Sequence, residues 1–296
     1  MTNVIDTSGV AGATDQLNGA YDVVVIGGGA AGLSGALMLA RARRSVVVID
    51  AGAPRNAPAE GVHGLLGLDG TSPADLLERG RADVHKYGGH VIDGNVVAAR
   101  RIGGADADPT AGTSLFEVEL ADGRTVRARR LLATTGLVDE LPDLPGLRER
   151  WGRDVVHCPY CHGWEIRDQA IGVVFTGPLS MHQVLLFRQW TADLTLFCHT
   201  SAPPTGEVAE QLHARGIRIV EGEIKAVRID DETDRITGVE LSDGALVKRD
   251  ALAVATRMVA RADYLSALGL KPVEHTSGAG EYIPTDAAGR TDVDGV

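Results

Sequence analysis

Residues 22 to 50 constrain the fold more than any other stretch. Asp22-Val23-Val24-Val25-Ile26 is a short, β-branched, apolar run, the pattern of a parallel strand buried on both faces. Gly27-Gly28-Gly29-Ala30-Ala31-Gly32 follows at once. Leu33 to Ala42 then reads as a helix, and Ser45 to Ile49 as a second strand ending at Asp50. Strand, G-x-G-x-x-G, helix, strand and acid in this order form a dinucleotide-binding unit. Gly27 permits a tight turn, Gly29 lets the backbone approach a pyrophosphate, and Gly32 lets helix and strand pack closely. The helix N-terminus then binds phosphates, and Asp50 binds a ribose hydroxyl.

The rest of the first half extends this unit. Ala51 to Asn56 is a loop, and Gly61 to Gly70 is punctuated by glycines. A helix is expected over Leu76 to Tyr87, closed by Gly88-Gly89. Val91-Ile92 and Asn95 to Arg100 read as strands. Leu115 to Leu120 and Arg124 to Arg129 form a hairpin about Asp122-Gly123. Leu131 to Gly136 reads as a further apolar strand with a small-residue end. Residues 1 to 20 are expected to be a flexible tail, and residues 103 to 113 an exposed loop.

The second half repeats the first. Val91 to Arg100 resembles Ile219 to Arg228, the Asp122-Gly123 turn matches Asp243-Gly244, and Leu132-Ala133-Thr134 matches Val254-Ala255-Thr256. The fold class expected is therefore α/β, with two dinucleotide-binding, Rossmann-like domains. Residues 21–138 and 257–296 would form one, and residues 139–256 the other. In the second copy, Gly27 becomes Phe175, Gly32 becomes Ser180, and Asp50 becomes Cys198. Phenylalanine cannot make the same tight turn, and Pro178 has no N–H for a phosphate. Cys198-His199-Thr200 offers neither an acid for a ribose diol nor an arginine for a 2′-phosphate. The scaffold persists while its nucleotide chemistry is largely erased; an atypical loop that still binds NADPH stays open.

Between the two copies lies His157-Cys158-Pro159-Tyr160-Cys161-His162-Gly163-Trp164. Two cysteines at this spacing, with a proline that leads into a helix, suit a pair cycling between dithiol and disulfide. A thiolate at the helix N-terminus is expected to have a lowered pKa, with His157 and His162 lowering it further or moving protons. A zinc half-site would want a second ligand pair at similar spacing, and a structural disulfide closing so short a loop would add little stability. No metal is expected.

The chain has 296 residues and a net charge of −11, which argues against nucleic acid and anionic membranes as partners. Three cysteines in this length suggest a reducing, cytoplasmic setting. No signal peptide or apolar span of bilayer length is read from the sequence.

Taken together, Gly27, Gly29, Gly32 and Asp50, the strand Ala133-Thr134-Thr135-Gly136, and a Cys-x-x-Cys opening the second domain resemble the low-molecular-weight thioredoxin reductase family of flavoproteins. The similarity runs over about residues 21 to 296. His162, directly after the second cysteine, and the degraded second glycine motif look most like its NADPH-independent dithiol oxidases of the holomycin and gliotoxin type. The resemblance implies FAD, held by Gly27, Gly29, Ala30, Ala31, Gly32, Asp50, Ala51, Arg55, Asn56, His63, Thr134, Thr135 and Gly136. It implies Cys161 nearest the flavin, Cys158 as the interchange thiol, and His162 as the proton carrier. A small dithiol would be oxidised with O2, giving H2O2, by a homodimer. Two alternatives stand beside this. One is a reductase of thioredoxin or a similar protein, fed by NADPH or ferredoxin. The other is a non-catalytic flavin-binding or thiol-sensing protein. The family also implies a further strand, a Gly-Asp or Gly-Asn turn on the flavin and a final helix beyond Val296. A chain ending there is expected to bind FAD more weakly than an extended one.

Overall fold

The computed structural model describes residues 17–102 and 115–296. The loop expected over 103 to 113, and the expected tail as far as residue 16, lie outside the described residues. The first unit runs β1 (Ala20–Ile26), α1 (Ala30–Arg41), β2 (Val46–Asp50), α2 (Pro73–Lys86), β3 (His90–Asp93), β4 (Val96–Arg101), β5 (Phe116–Leu120) and β6 (Thr125–Ala133). These strands form one six-stranded sheet in the order β3-β2-β1-β6-β5-β4. β1 lies parallel to β2, with Val23 opposite Val46 and Ile26 opposite Ile49. All five residues of β2 are buried, which is why both strands read as continuous apolar runs rather than alternating ones. Helix α2 starts three residues earlier than its apolar pattern suggests. The Ser72 hydroxyl accepts the Asp75 N–H at 3.1 Å, and Pro73 occupies the first turn, two signals that set a helix start independently of periodicity.

The hairpin arm expected over Arg124 to Arg129 and the strand expected over Leu131 to Gly136 are one strand, β6. Its first half pairs antiparallel with β5, from Thr125 opposite Glu119 to Ala128 opposite Phe116. On its other edge it runs parallel to β1 from Arg127 opposite Ala20 to Ala133 opposite Ile26. The Arg129-Arg130 pair resembles a break, yet Arg129 reaches across to Asp22 at 3.1 Å. A charged residue on a central strand is thus matched rather than expelled.

The chain passes to the second unit through β7 (Leu137–Glu140) and returns through β16 (Arg257–Ala260), which pair antiparallel with Val138 opposite Val259. Between them lie β8 (Val155–Val156), α3 (Pro159–His162), β9 (Ile171–Val174), α4 (Pro178–Phe187), β10 (Leu194–Phe197), α5 (Gly206–Ala214), β11 (Arg218–Val220), β12 (Ile224–Asp230), β13 (Arg235–Leu241), β14 (Leu246–Lys248) and β15 (Ala251–Val254). A five-stranded sheet has the order β11-β10-β9-β15-β8, and β12, β13 and β14 form a separate meander. Val184, Phe187 and Leu212 cover one face of the sheet, while Ile224, Val227 and Val239 from the meander pack on the other. Both units are Rossmann-like. After β16, Ala262, Tyr264 and Leu265 join Phe116 and Val118 in the core of the first unit. No helix among the described residues is long and apolar enough to cross a membrane.

Candidate active site: a glycine-lined cleft and a dithiol turn

A cleft of about 980 Å³ opens where β1 meets α1, at the large end of the range for cofactor sites. Of the residues proposed for FAD, Gly27, Gly29, Asp50, Ala51, Arg55, Asn56, Thr134, Thr135 and Gly136 line it. Gly27 has φ +107°, and a Cβ there would lie 2.5 Å from the Thr134 carbonyl oxygen. Gly29 behaves differently: a Cβ there would meet no protein atom within 4 Å. It borders the cleft at the N-cap of α1, so the space it leaves suits a ligand and not the protein's own packing. The start of α1, where the first N–H groups of a helix lack intrahelical partners, adjoins this opening at Gly29, as a pyrophosphate requires.

Ala30, Ala31, Gly32 and His63 fall outside the lining of this cleft. Gly32 has a packing reason: a Cβ would stand 1.9 Å from the Gly27 carbonyl oxygen. Asp50 borders the cleft, but its carboxylate also has protein partners. Oδ1 accepts the N–H groups of Gly28 and Gly52 at 3.3 and 3.2 Å, and Oδ2 accepts from Arg81 on α2. The sequence reading missed Arg261 and Tyr264, which complete the cleft wall. The Thr135 hydroxyl donates to the Arg261 carbonyl at 2.6 Å, and Arg261 Nη1 donates to the Ala53 carbonyl at 3.0 Å. They follow β16 far along the chain, and no local motif marks them.

The dithiol turn lies on the second unit. Cys158 is the N-cap of α3, and its carbonyl accepts the N–H groups of Cys161 and His162 at 3.2 and 3.1 Å. The structure holds both cysteines as free thiols. Gly163 closes the turn because the Trp190 ring packs against it; a Cβ would approach that ring to 2.9 Å. Trp190 also meets Tyr160 edge-on at 5.5 Å, and Gln183 Nε2 donates to the His157 carbonyl at 2.7 Å. Outside this packing, Tyr160 and Trp164 stay 71% and 65% exposed beside the thiols.

The lowered pKa expected of a thiolate here is reversed for Cys161. Its residue is exposed, yet partial burial of the thiol first, then hydrogen bonding and charge at Cys158, push it up to about 11. A four-residue helix supplies little dipole to oppose this. Arg55 is the group that pulls Cys161 back down. His157 is anchored by its Nδ1–H, which donates to the Val254 carbonyl at 3.1 Å. His162 is half-buried, and burial pushes its pKa down, helped by His63 and opposed by Glu165.

Arg55 is fixed in turn by Asp139, which takes Nε and Nη2 at 2.5 and 2.7 Å. Thr256, between β15 and β16, donates to the same carboxylate at 2.6 Å. Burial works against the ionised Asp139, but the Arg55 and Thr256 hydrogen bonds outweigh it and hold the carboxyl below its ordinary range. Arg55 therefore carries charge from the cleft wall to the dithiol, acting on Cys161 more than on Cys158.

The second glycine loop superposes in kind but not in chemistry. Phe175 donates its N–H to the Phe197 carbonyl at 2.9 Å, as Gly27 does to Ile49. Gly177 caps α4 as Gly29 caps α1. The Thr176 N–H, however, is taken by the buried Ser180 hydroxyl at 2.9 Å. Cys198, in place of Asp50, is buried, and burial raises its thiol pKa. His199 turns its Nδ1 to the Ile224 N–H at 3.0 Å. Among the described residues, no group of three or more His, Cys, Asp or Glu side chains is placed to hold a metal ion.

Known proteins share this architecture. The chain is 34% identical to thioredoxin reductase tcpT of Claviceps purpurea, over 84% of this chain and 78% of the relative. It is 29% identical to thioredoxin reductase sirT of Leptosphaeria maculans, over 93% and 85%. The solved structure of HlmI is 45% identical and similar at a TM-score of 0.84, covering 95% of this chain and 84% of HlmI. The model of the pyridine nucleotide-disulphide oxidoreductase family matches residues 21–296. The chain belongs to that family, as a thioredoxin reductase-like, FAD-binding oxidoreductase.

Proposed function

We propose that the protein is an FAD-dependent dithiol oxidase, which closes a disulfide in a small dithiol and passes the electrons to O2. The observation that carries this reading is the second glycine loop. Ser180 takes a loop N–H, Phe175 and Pro178 stand where a nucleotide needs a tight turn and a donor, and Cys198 replaces the acid. An enzyme that draws electrons from a nicotinamide would need those groups. One that draws them from a dithiol does not.

The chain's own residues then divide the work. A substrate thiolate attacks Sγ of Cys158 in the disulfide form, and Cys161 leaves as a thiolate. The second substrate thiol attacks the substrate sulfur of that mixed disulfide, releasing oxidised substrate and leaving Cys158 and Cys161 reduced. Bound in the first cleft, FAD supplies a two-electron acceptor for the dithiol and a donor to O2. Cys161 is the thiol on which the Arg55 charge acts more, and Arg55 opposes the burial that keeps it protonated. The neutral imidazole of His162 accepts thiol protons. Gly29 and the start of α1 would hold the pyrophosphate. The balance is one dithiol and one O2 to one disulfide and one H2O2, in a cytoplasmic homodimer.

A second reading, a reductase of a thioredoxin-like protein, is favoured by the exposed Tyr160 and Trp164 beside the thiols, since a protein partner needs an apolar face. Turnover with dithiothreitol in aerated buffer tests the main reading. One O2 consumed and one H2O2 formed per disulfide supports it, and no O2 uptake contradicts it.

A further inference from the structure

Arg261 follows β16, and its main chain is held at the end of β6. Its N–H donates to the Gly136 carbonyl at 3.1 Å, and its carbonyl accepts the Thr135 hydroxyl at 2.6 Å. Its side chain leaves that anchor for the loop that follows β2, where Nη1 donates to the Ala53 carbonyl at 3.0 Å. β2 and β6 are the two neighbours of β1, and all three run parallel. Their carboxyl ends therefore lie on one side, and β1 leads into the Gly27 turn between them. One side chain thus joins the segments on either side of the glycine turn, at the end of the sheet where ligands of such folds bind. Gly27, Gly29, Ala53, Thr135 and Arg261 all line the same cleft.

Stability is a weak reason for this strap. Arg261 is exposed, and one hydrogen bond from an exposed arginine barely offsets the order it imposes on so long a side chain. Charge gives a better one. The charged side chains on the cleft wall are Asp50, Arg55, Arg261 and Asp263. Asp50 is matched by Arg81, and Arg55 by Asp139. Arg261 and Asp263 form no ion pair among the described residues, and Nε and Nη2 of Arg261 have no protein partner there. Without Arg261 the wall would keep the uncompensated charge of Asp263 and repel a phosphate.

We propose that Arg261 is a cofactor-binding residue whose guanidinium pairs with the FAD pyrophosphate, an inference that rests on the cleft as the FAD site. The glycine turn lets a pyrophosphate approach, but it brings only main-chain N–H groups. Arg261 adds a full charge and two unused donor nitrogens. A guanidinium suits this task because its planar donors match phosphate oxygens in pairs. Its anchors on Ala53, Thr135 and Gly136 also tie the cofactor to the loops that follow β2 and β6.

The test measures FAD affinity of the full chain at low and high salt, for the wild type, Arg261→Met and Arg261→Lys, beside thermal melts of the apoproteins. Arg261→Met should bind FAD about tenfold more weakly at low salt, as loss of a charge-assisted hydrogen bond predicts. Arg261→Lys should recover part of that loss. Wild-type affinity should fall as salt rises, and that of Arg261→Met should fall less, because salt screens a charge the variant lacks. Riboflavin, which has no phosphate, should bind the wild type and Arg261→Met equally. Equal FAD affinities in the wild type and Arg261→Met would overturn the proposal. So would a weaker Arg261→Met whose salt dependence matches the wild type and whose apoprotein melts lower, which would make Arg261 a tie between two loops. A wild-type chain that binds no FAD would overturn the cleft as the cofactor site, and the role of Arg261 with it.

Discussion

Asp139 and Arg55 meet through two hydrogen bonds, 2.5 and 2.7 Å long, between a carboxylate on β7 and the wall of the cofactor cleft. Thr256 completes the contact from the link between β15 and β16. One side chain, 5% exposed, therefore ties together the cleft, the crossing strand and the second unit. A bidentate arginine–carboxylate pair fixes direction as well as charge, so the position of the Arg55 guanidinium relative to the thiols depends on Asp139.

Asp139→Asn should lower stability to urea by about 1–3 kcal/mol, the cost of weakening hydrogen bonds to a charged group. The pH dependence has a fixed sign. Asp139 is held below the ordinary carboxylate range in the folded state. Its contribution is therefore fully present above the unfolded value, near about 3.9, and is lost as pH falls through the folded value. Unfolding curves of Asp139→Asn should show a shallower acid limb than those of the wild type; parallel limbs would contradict the assignment.

Gly29 and Gly32 should separate cofactor binding from folding. A side chain at Gly29 meets no protein atom, whereas one at Gly32 strikes the Gly27 carbonyl. Gly29→Val should strip bound FAD while the apoprotein melts near the wild-type temperature. Gly32→Val should lower the melting temperature itself. Flavin absorbance and thermal melts of the two purified variants check this, and retained FAD in Gly29→Val would contradict the cleft as the cofactor site.

This division was legible in the sequence because the βαβ unit is local. Strand, glycines, helix and acid all fall within residues 22 to 50, and Gly32 answers to Gly27 within that same stretch. The alignment of Gly27 with Phe175 and of Asp50 with Cys198 was legible for the same reason. What escaped is non-local or continuous. β6 looked like two elements because its partners change along its length while the strand does not break. The pairing of Leu137–Glu140 with Arg257–Ala260, and hence Asp139 beside Thr256, joins segments with no shared local pattern. His63 was assigned to FAD by resemblance. Its contact with Glu165 depends on how the two units sit together, which no window of sequence records. The rise in the Cys161 pKa also escaped, because it comes from burial of the thiol and from its contact with Cys158, which a spacing motif does not record.

The three cysteines should part by role. Cys161→Ser should abolish reduction of the flavin by dithiol, and Cys158→Ser should block attack on substrate while leaving Cys161 under the charge of Arg55. Cys198→Ala should turn over like the wild type, because that thiol is buried just after β10 and is not among the groups that act on Cys161. Arg55→Met should push the Cys161 thiol further up, since Arg55 opposes the rise to about 11. Alkylation of reduced Cys161 should then need higher pH in Arg55→Met than in the wild type. At a fixed pH below the thiol's own value it should run several-fold slower, in proportion to the lost thiolate. Identical alkylation profiles would remove Arg55 from the thiol chemistry.

The central claim is that electrons enter from a dithiol and not from a nicotinamide. It is tested most directly by mixing the holoenzyme with NADPH in the absence of oxygen and following the flavin absorbance, then adding dithiothreitol. The account predicts no bleaching with NADPH and prompt bleaching on adding the dithiol. Bleaching within seconds of NADPH addition would contradict it and leave the reductase.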